Sequence, residues 1–188
     1  LQGESLHQNL KRGPVGLERA LAIAGQVCSG LEAAHEHGIV HRDMKPENIF
    51  LSKKGKMERV KILDFGISKV RDGEGSSVGM TRTGQLLGTP LYMSPEQARG
   101  EQSDQRADIY AVGVTLFEML VGIPPFNGNS LYDLIWKHGF APAPKLLERS
   151  SREDLDANLE RILQKSLAKD AGDRYECVSD FREELEAA

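Results

Sequence analysis

The chain has 188 residues, which suits one large domain or one lobe of a larger domain. Hydrophobic residues make up 39% and charged residues 28%, an ordinary globular composition that excludes a disordered chain. The net charge is −4 and the basic residues are dispersed along the sequence. We therefore expect neither a nucleic-acid-binding surface nor a polybasic membrane anchor.

The cysteines and the longest apolar stretch indicate in which cellular compartment we expect the protein. Cys28 and Cys177 lie 149 positions apart without a C-x-x-C motif, which favours a reducing, cytoplasmic location over a disulfide framework or a zinc site. The longest apolar stretch, 109–123, is interrupted by Glu118 and is shorter than the roughly 20 residues that a membrane-spanning helix needs. We therefore expect a buried core helix there and no membrane segment in this chain, so that any membrane tether would lie outside it.

Apolar periodicity predicts helices through most of the chain, with Gly38 as a left-handed stop after the first and Ser130 and Ser179 as N-caps. The predicted helices are 17–36, 104–121, 131–138, 155–167 and 180–187. Short apolar runs predict strands at 39–40, 49–51 and 60–63. The periodicity disappears between 66 and 88, where glycines indicate a long loop. The predicted fold class is mainly α with a small β element.

Charged and amide side chains are concentrated in the segment 41–48, with the sequence HRDMKPEN. Arg42, Asp43 and Lys45 would be expensive to bury without partners, so we expect them on a loop that faces a charged ligand. Asp64 follows Asp43 by 21 residues and closes a predicted strand. Two carboxylates and the amide of Asn48 can hold Mg²⁺ between oxygen atoms, and a neighbouring lysine can neutralise a phosphate. The residues alone therefore suggest metal-assisted transfer of an anionic group.

These segments resemble the sequence motifs of protein kinases. Segment 41–48 is similar to the catalytic loop H-R-D-x-K-x-x-N, and 64–66 is similar to D-F-G. Segment 88–96 resembles the stretch that ends in A-P-E, with Ser94 where alanine is usual. Segment 103–126 resembles the family's central buried helix and the proline-ended segment after it, and 173–175 resembles the late arginine segment. The resemblance covers essentially the whole chain, with the motifs in the family's order. The residues within the motifs are most similar to those of bacterial serine/threonine kinases of eukaryotic type.

The resemblance implies which part of a kinase domain is present. Residues 1–188 correspond to the C-terminal, large lobe, with the catalytic loop at 41–48, the activation segment at 64–96 and the central helix at about 104–121. The sequence contains no G-x-G-x-x-G loop and no V-A-I-K-like run, and Leu1 falls about where the hinge between the lobes is expected. We therefore expect the N-terminal small lobe to be absent from this chain.

The resemblance also implies catalytic roles, with ATP and Mg²⁺ as cofactors. Asp43 corresponds to the aspartate that orients the substrate hydroxyl, and Lys45 to the lysine that stabilises the transferring phosphoryl group. Thr89 corresponds to a residue that hydrogen-bonds near both and marks the serine/threonine branch. Asn48 and Asp64 correspond to the metal ligands. The implied nucleotide-binding residues are Lys45, Glu47, Asn48, Phe50 and Asp64, with Ser5 near the ribose.

Regulatory and structural roles follow from the same resemblance. Arg42 corresponds to the arginine that receives a phosphorylated side chain of the activation segment, for which Thr81 and Thr83 are the candidate phosphosites. His41 is expected to be a packed structural histidine and Asp108 to brace the catalytic loop. Glu96 and Arg174 are expected to form a buried ion pair.

Simpler interpretations exist for several of these residues. Taken alone, Arg42 could be a surface cation and Asp43 a turn former. His35, His37 and His41 could suggest a metal site, but their spacing at a helix end does not converge on one ion. A favourable interaction with the helix dipole explains His35 and His37 better.

The sequence therefore predicts a serine/threonine protein kinase that transfers the γ-phosphoryl group of ATP to protein hydroxyls and needs an upstream ATP-binding lobe. The expected partners are protein substrates and, as a further candidate, a second kinase copy. The alternative is a stand-alone, non-catalytic scaffold or decoy domain that binds kinases. A small-molecule phosphotransferase would share similar loops, but segment 88–96 favours a protein substrate.

Overall fold

The computed structural model describes residues 3–54, 57–65 and 90–188, in which helices predominate over strands. The strands are β1 (Gly3–Ser5), β2 (Ile49–Lys54) and β3 (Met57–Ile62). The helices are α1 (Leu6–Leu10), α2 (Leu17–His35), α3 (Pro95–Ala98), α4 (Arg106–Val121), α5 (Leu131–Phe140), α6 (Leu146–Arg149), α7 (Ala157–Ser166) and α8 (Val178–Glu186). Single 3₁₀ turns lie at Pro46–Asn48 and Ala171–Asp173. The predicted mainly α fold with a small β element is confirmed.

Helix α4 forms the centre of the core, as its apolar run predicts. Thirteen of its sixteen residues are buried, so other elements must cover it on all sides. Helices α2, α6, α7 and α8 pack against it. The helix ends at Gly122, whose φ of 89° is a left-handed conformation that glycine adopts without a Cβ penalty. This central helix fixes the position of the polar residues at its first turn.

The three strands form an antiparallel sheet in the order β1-β2-β3. Helix α2 covers the edge of β3 that faces away from β2: the Gln26 side chain accepts from the Val60 N–H at 3.1 Å and donates to the Glu58 carbonyl at 3.4 Å. Arg19 on the same helix forms an ion pair with Glu58 at 2.9 Å. These contacts satisfy an edge that would otherwise offer free backbone groups to another chain.

Two predicted features are wrong. The pair 39–40 forms no strand, because a two-residue run finds no neighbour with which to pair, and Ile39 is half exposed. Ser179 does not cap the last helix, since α8 begins at Val178 and the N-cap position is Cys177. The predicted N-cap Ser130 is confirmed: its hydroxyl accepts from the Asp133 N–H at 3.1 Å.

A buried histidine joins α5 to the rest of the core. His138 is fully buried, its Nδ1 lies 3.0 Å from the Tyr110 hydroxyl, and its ring lies 5.0 Å from that of Phe126. Burial, together with the nearby ammonium group of Lys169, lowers the pKa of His138 to about 3. The folded protein therefore holds this side chain neutral.

His138 should make the stability of the protein sensitive to acid. The unfolded chain protonates this histidine near pH 6.5 and the folded chain only near pH 3, so the stability that His138 confers is complete above pH 6.5 and is lost as the pH falls. We expect a loss of about 1.4 kcal/mol per pH unit below that value, roughly 2 kcal/mol at pH 5. Urea unfolding at pH 7 and pH 5 measures this loss of stability. We expect His138→Gln to remove the dependence on pH that this residue causes. The control His37→Gln, at an exposed site, should leave that dependence unchanged. Equal slopes in the parent and His138→Gln would contradict the prediction.

Candidate active site

The carboxylate of Asp108 anchors the start of segment 41–48. Asp108 lies in the first turn of α4 and is only 1% exposed. Its Oδ2 accepts from the His41 N–H and its Oδ1 from the Arg42 N–H, each at 2.8 Å. The His35 Nε2 lies 2.8 Å from the same Oδ2. The buried carboxylate thus has the donors that it requires, and the predicted contact between Asp108 and this segment is present.

The three histidines each have a different hydrogen-bond partner. His35 belongs to the Asp108 anchor, so the helix dipole is not its main partner, whereas the exposed His37 lies with its Nδ1 2.8 Å from the Ala33 carbonyl. His41 is fully buried, and its Nδ1 accepts from the Asp43 N–H at 3.2 Å. Its Nε2 must then carry the proton, which it donates to the Leu63 carbonyl at 3.1 Å.

Two residues of this region have a left-handed backbone, although neither is glycine. Arg42 has φ of 62° and Asp64 has φ of 50°, and no other non-glycine residue in the described ranges has a positive φ. This conformation costs roughly 1–2 kcal/mol for an L-residue, so surrounding contacts must maintain it. Such strain is concentrated at functional sites.

Asp43, Lys45 and Asn48 meet within the loop. The Lys45 ammonium donates to Asp43 Oδ2 at 2.8 Å, and the Asn48 amide donates to the Asp43 carbonyl at 2.8 Å. Asn48 is 6% exposed, so this bond fixes the orientation of its amide. The Leu63 N–H donates to the Asn48 carbonyl at 2.8 Å, which puts Asp64 directly after a residue bonded to the loop. The His41 ring lies 4.9 Å from that of Phe65 and supports the same junction.

The donor set at this junction suits a hard cation and a phosphate. Because the Asn48 Nδ2 is used within the loop, the amide presents its oxygen to a ligand, and Asp64 adds an exposed carboxylate. Oxygen donors of this kind fit Mg²⁺, which takes few protein ligands and shares phosphate oxygens. Lys45 lies beside them as a point charge for a phosphate.

The predicted nucleotide-side residues lie next to this junction. Phe50 on β2 is the cross-strand partner of Ser5 on β1, so the two positions are neighbours. The Ser5 hydroxyl accepts from the Gln8 N–H at 3.2 Å and caps α1. The Glu47 carboxylate lies 3.2 Å from His7 Nδ1 on α1. A ribose role for Ser5 and a nucleotide role for Glu47 stay predictions.

The predicted ion pair between Glu96 and Arg174 is confirmed. Both residues are buried, and the guanidinium donates to the two carboxylate oxygens at 3.0 Å and 2.7 Å. Arg174 also donates to the carbonyls of Ala168 at 2.9 Å and Arg106 at 3.0 Å. Burial alone would raise the pKa of Glu96, but the hydrogen bonds and charge of Arg174 outweigh burial and lower it.

Two contacts of the segment after residue 90 were not predicted from the sequence. The Tyr92 hydroxyl donates to Glu118 Oε2 on α4 at 2.6 Å, and burial raises the pKa of that carboxyl. The Gln97 amide donates to the Arg42 carbonyl at 3.0 Å. The spacing of Ser94 and Gln97 is that of a capping box, so the bonds between these two residues could have been predicted. The bond from Gln97 to Arg42 could not.

Part of the predicted site lies outside the described residues. This applies to Thr81, Thr83 and Thr89 and to most of the predicted activation segment, 66–89. Within the described ranges the Nε of Arg42 is buried and has no hydrogen-bond partner. In that same part of the chain no helix is both long enough and apolar enough to cross a lipid bilayer.

Comparison with known proteins identifies the family. The family described as "Protein kinase domain" matches residues 1–184. The chain belongs to the protein kinase family. It is 41% identical over 187 residues to the serine/threonine-protein kinase pkn3 of Myxococcus xanthus, covering 98% of this chain and 34% of that protein. It is 40% identical over 174 residues to the serine/threonine-protein kinase PknB of Mycolicibacterium smegmatis, covering 92% and 27%. This kinase chain therefore spans about a third or less of these relatives.

Solved kinase structures share the fold. The crystal structure of the Mycobacterium tuberculosis PknI kinase domain superposes with a TM-score of 0.72 at 26% identity. The match covers 100% of this chain and 63% of that one. The predicted similarity to bacterial serine/threonine kinases of eukaryotic type is confirmed by the relatives.

Proposed function

We propose that this chain takes part in serine/threonine protein phosphorylation, in which the γ-phosphoryl group of ATP passes to hydroxyls of protein substrates. It supplies the residues that orient the acceptor hydroxyl. The observation that carries the proposal is the cluster of Asp43, Lys45 and Asn48, bonded to one another and joined through Leu63 to Asp64. The names of the relatives support the serine/threonine class.

Each polar group of the cluster has one part in this mechanism. The Asp43 carboxylate accepts the hydrogen bond of the substrate hydroxyl and aims its oxygen at the phosphorus, while Lys45 keeps that carboxylate in place at 2.8 Å and faces the transferring phosphate. Asn48 and Asp64 would hold Mg²⁺ through their oxygens. When bound, Mg²⁺ neutralises charge on the phosphate oxygens. The catalytic assistance of Thr89 is proposed from the resemblance alone.

We further propose that residues 1–188 are the large lobe of the kinase domain and that activity needs an additional ATP-covering lobe. No G-x-G-x-x-G loop or V-A-I-K-like run occurs among the 188 residues, and these parts hold the phosphates in protein kinases. The PknI kinase domain is longer than this chain, which covers 63% of it. The complete set of polar residues at the candidate site disfavours the scaffold alternative, because a binding domain would not need it.

A transfer assay tests this function. The complete natural polypeptide that contains residues 1–188 is incubated with γ-labelled ATP, Mg²⁺ and a generic basic protein acceptor. We expect label on phosphoserine and phosphothreonine and none on phosphotyrosine. Absence of transfer, together with capture of an active partner kinase, would favour the scaffold alternative.

We expect the active enzyme to phosphorylate itself at Thr81 or Thr83. The buried Nε of Arg42, which lacks a partner in the described ranges, supports a charge-assisted bond between this guanidinium and a phosphate. Mass spectrometry of the active enzyme and the activity of the Thr81→Ala, Thr83→Ala double variant measure it. Two unmodified threonines together with full activity of the double variant would refute it.

A further inference from the structure

Gln97 uses its amide oxygen to close the first turn of α3. The Gln97 Oε1 accepts from the Ser94 N–H at 3.0 Å and from the Ser94 hydroxyl at 3.1 Å. In return, the Ser94 Oγ accepts from the Gln97 N–H at 3.4 Å. This is a capping box, in which a glutamate at the same position would serve equally well.

The amide nitrogen of Gln97 makes a contact that a glutamate could not make. Its Nε2 donates at 3.0 Å to the carbonyl of Arg42, a residue 55 positions earlier in the chain. That carbonyl belongs to the peptide unit that leads into Asp43. A carboxylate at position 97 has no hydrogen to donate and would repel the carbonyl oxygen.

The contact acts on a strained residue that is held from two sides. The N–H of Arg42 is bound by Asp108 from α4, and its carbonyl by Gln97 from α3. Its φ of 62° is unfavourable for an arginine, so both bonds oppose relaxation of the backbone. A rotation of this peptide unit would move the Asp43 carboxylate, and a displacement of about 1 Å can reduce a rate roughly a hundredfold.

We propose that Gln97 is a positioning residue for phosphoryl transfer, which fixes the peptide unit between Arg42 and Asp43 and so couples the segment after residue 90 to the candidate catalytic loop. This inference rests on the proposed function. Gln97 acts through the backbone of Arg42 and does not itself touch the reacting groups.

The substitution Gln97→Glu separates this bond from the helix cap. It retains the acceptor for Ser94, removes the donor to the Arg42 carbonyl and places a carboxylate oxygen against that carbonyl. In the complete polypeptide we expect kcat to fall between about tenfold and a hundredfold, with KM for ATP and for the acceptor protein unchanged within about twofold. The melting temperature should fall only slightly, because the variant loses one hydrogen bond and keeps the capping box. The matched control is Ser94→Ala, which loses the cap but keeps the donor, so its kcat should stay at the parental value.

Amide hydrogen exchange tests the same bond without an activity assay. We expect the N–H groups of Arg42 and Asp43 to exchange at least about tenfold faster in Gln97→Glu, and at the parental rate in Ser94→Ala. If the parent transfers no phosphate, the proposed function fails and exchange alone decides whether Gln97 fixes the loop. Parental kcat in Gln97→Glu, or a lower kcat without faster exchange at these two residues, would overturn the positioning role.

Discussion

The substitution Arg174→Met is expected to lower the free energy of unfolding by about 3–5 kcal/mol. It removes the guanidinium that donates to both Glu96 oxygens and leaves a carboxylate buried without its partner. It also frees the carbonyls of Ala168 and Arg106. Urea unfolding at pH 7 measures the difference from the parent.

A matched control and a double variant separate this effect from general damage. Arg182 pairs with Glu32 at 2.7 Å near the surface, with side-chain exposures of 24% and 30%, so Arg182→Met should cost about 1 kcal/mol or less. Adding Glu96→Gln to Arg174→Met should recover part of the loss, because the remaining side chain is neutral. If Arg174→Met costs no more than Arg182→Met, the buried pair does not stabilise the fold as argued.

Substitutions at Asp43 and Asp64 should have the largest effects on activity. Asp43→Asn replaces the charged acceptor for the substrate hydroxyl with a weaker, neutral amide, and Asp64→Asn removes a charged metal ligand, so each should lower the transfer rate by at least about 10²–10⁴. Both residues are at least partly exposed, so the melting temperature should change little. Initial rates with γ-labelled ATP in the complete polypeptide measure the loss.

The control for these variants is an exposed carboxylate away from the candidate site. Asp180 lies exposed in the first turn of α8, and Asp180→Asn should retain the parental rate. Near-parental transfer by Asp43→Asn would remove that residue from its proposed role.

The long helices could be predicted from the sequence because their buried apolar residues recur at helical spacing. Helix α2 begins at Leu17, as predicted, and α4 begins two residues after the predicted start and ends at Val121 as predicted. Elements of three to five residues, such as β1 and α3, were missed because they are too short to show a period. Their existence depends on pairing and capping with distant parts of the chain.

The order of the kinase motifs predicted which polar residues belong together, but not how they are held. The interaction of His35 with Asp108 spans 73 positions and that of Gln97 with Arg42 spans 55, and nothing local indicates either. The pairing of Glu96 with Arg174, 78 positions apart, was predictable only from the family resemblance. The left-handed backbone at Arg42 likewise depends on tertiary contacts that residue type does not reveal.

The most direct test of the account is the rate at which residues 1–188 alone transfer labelled phosphate to a protein acceptor. Positioning and charge neutralisation supply almost all of the rate in phosphoryl transfer, and this chain contains no G-x-G-x-x-G loop to cover the phosphates. We predict no measurable transfer by residues 1–188, and transfer to serine and threonine once an upstream ATP-covering lobe is joined to them. Robust transfer by residues 1–188 alone would contradict the account.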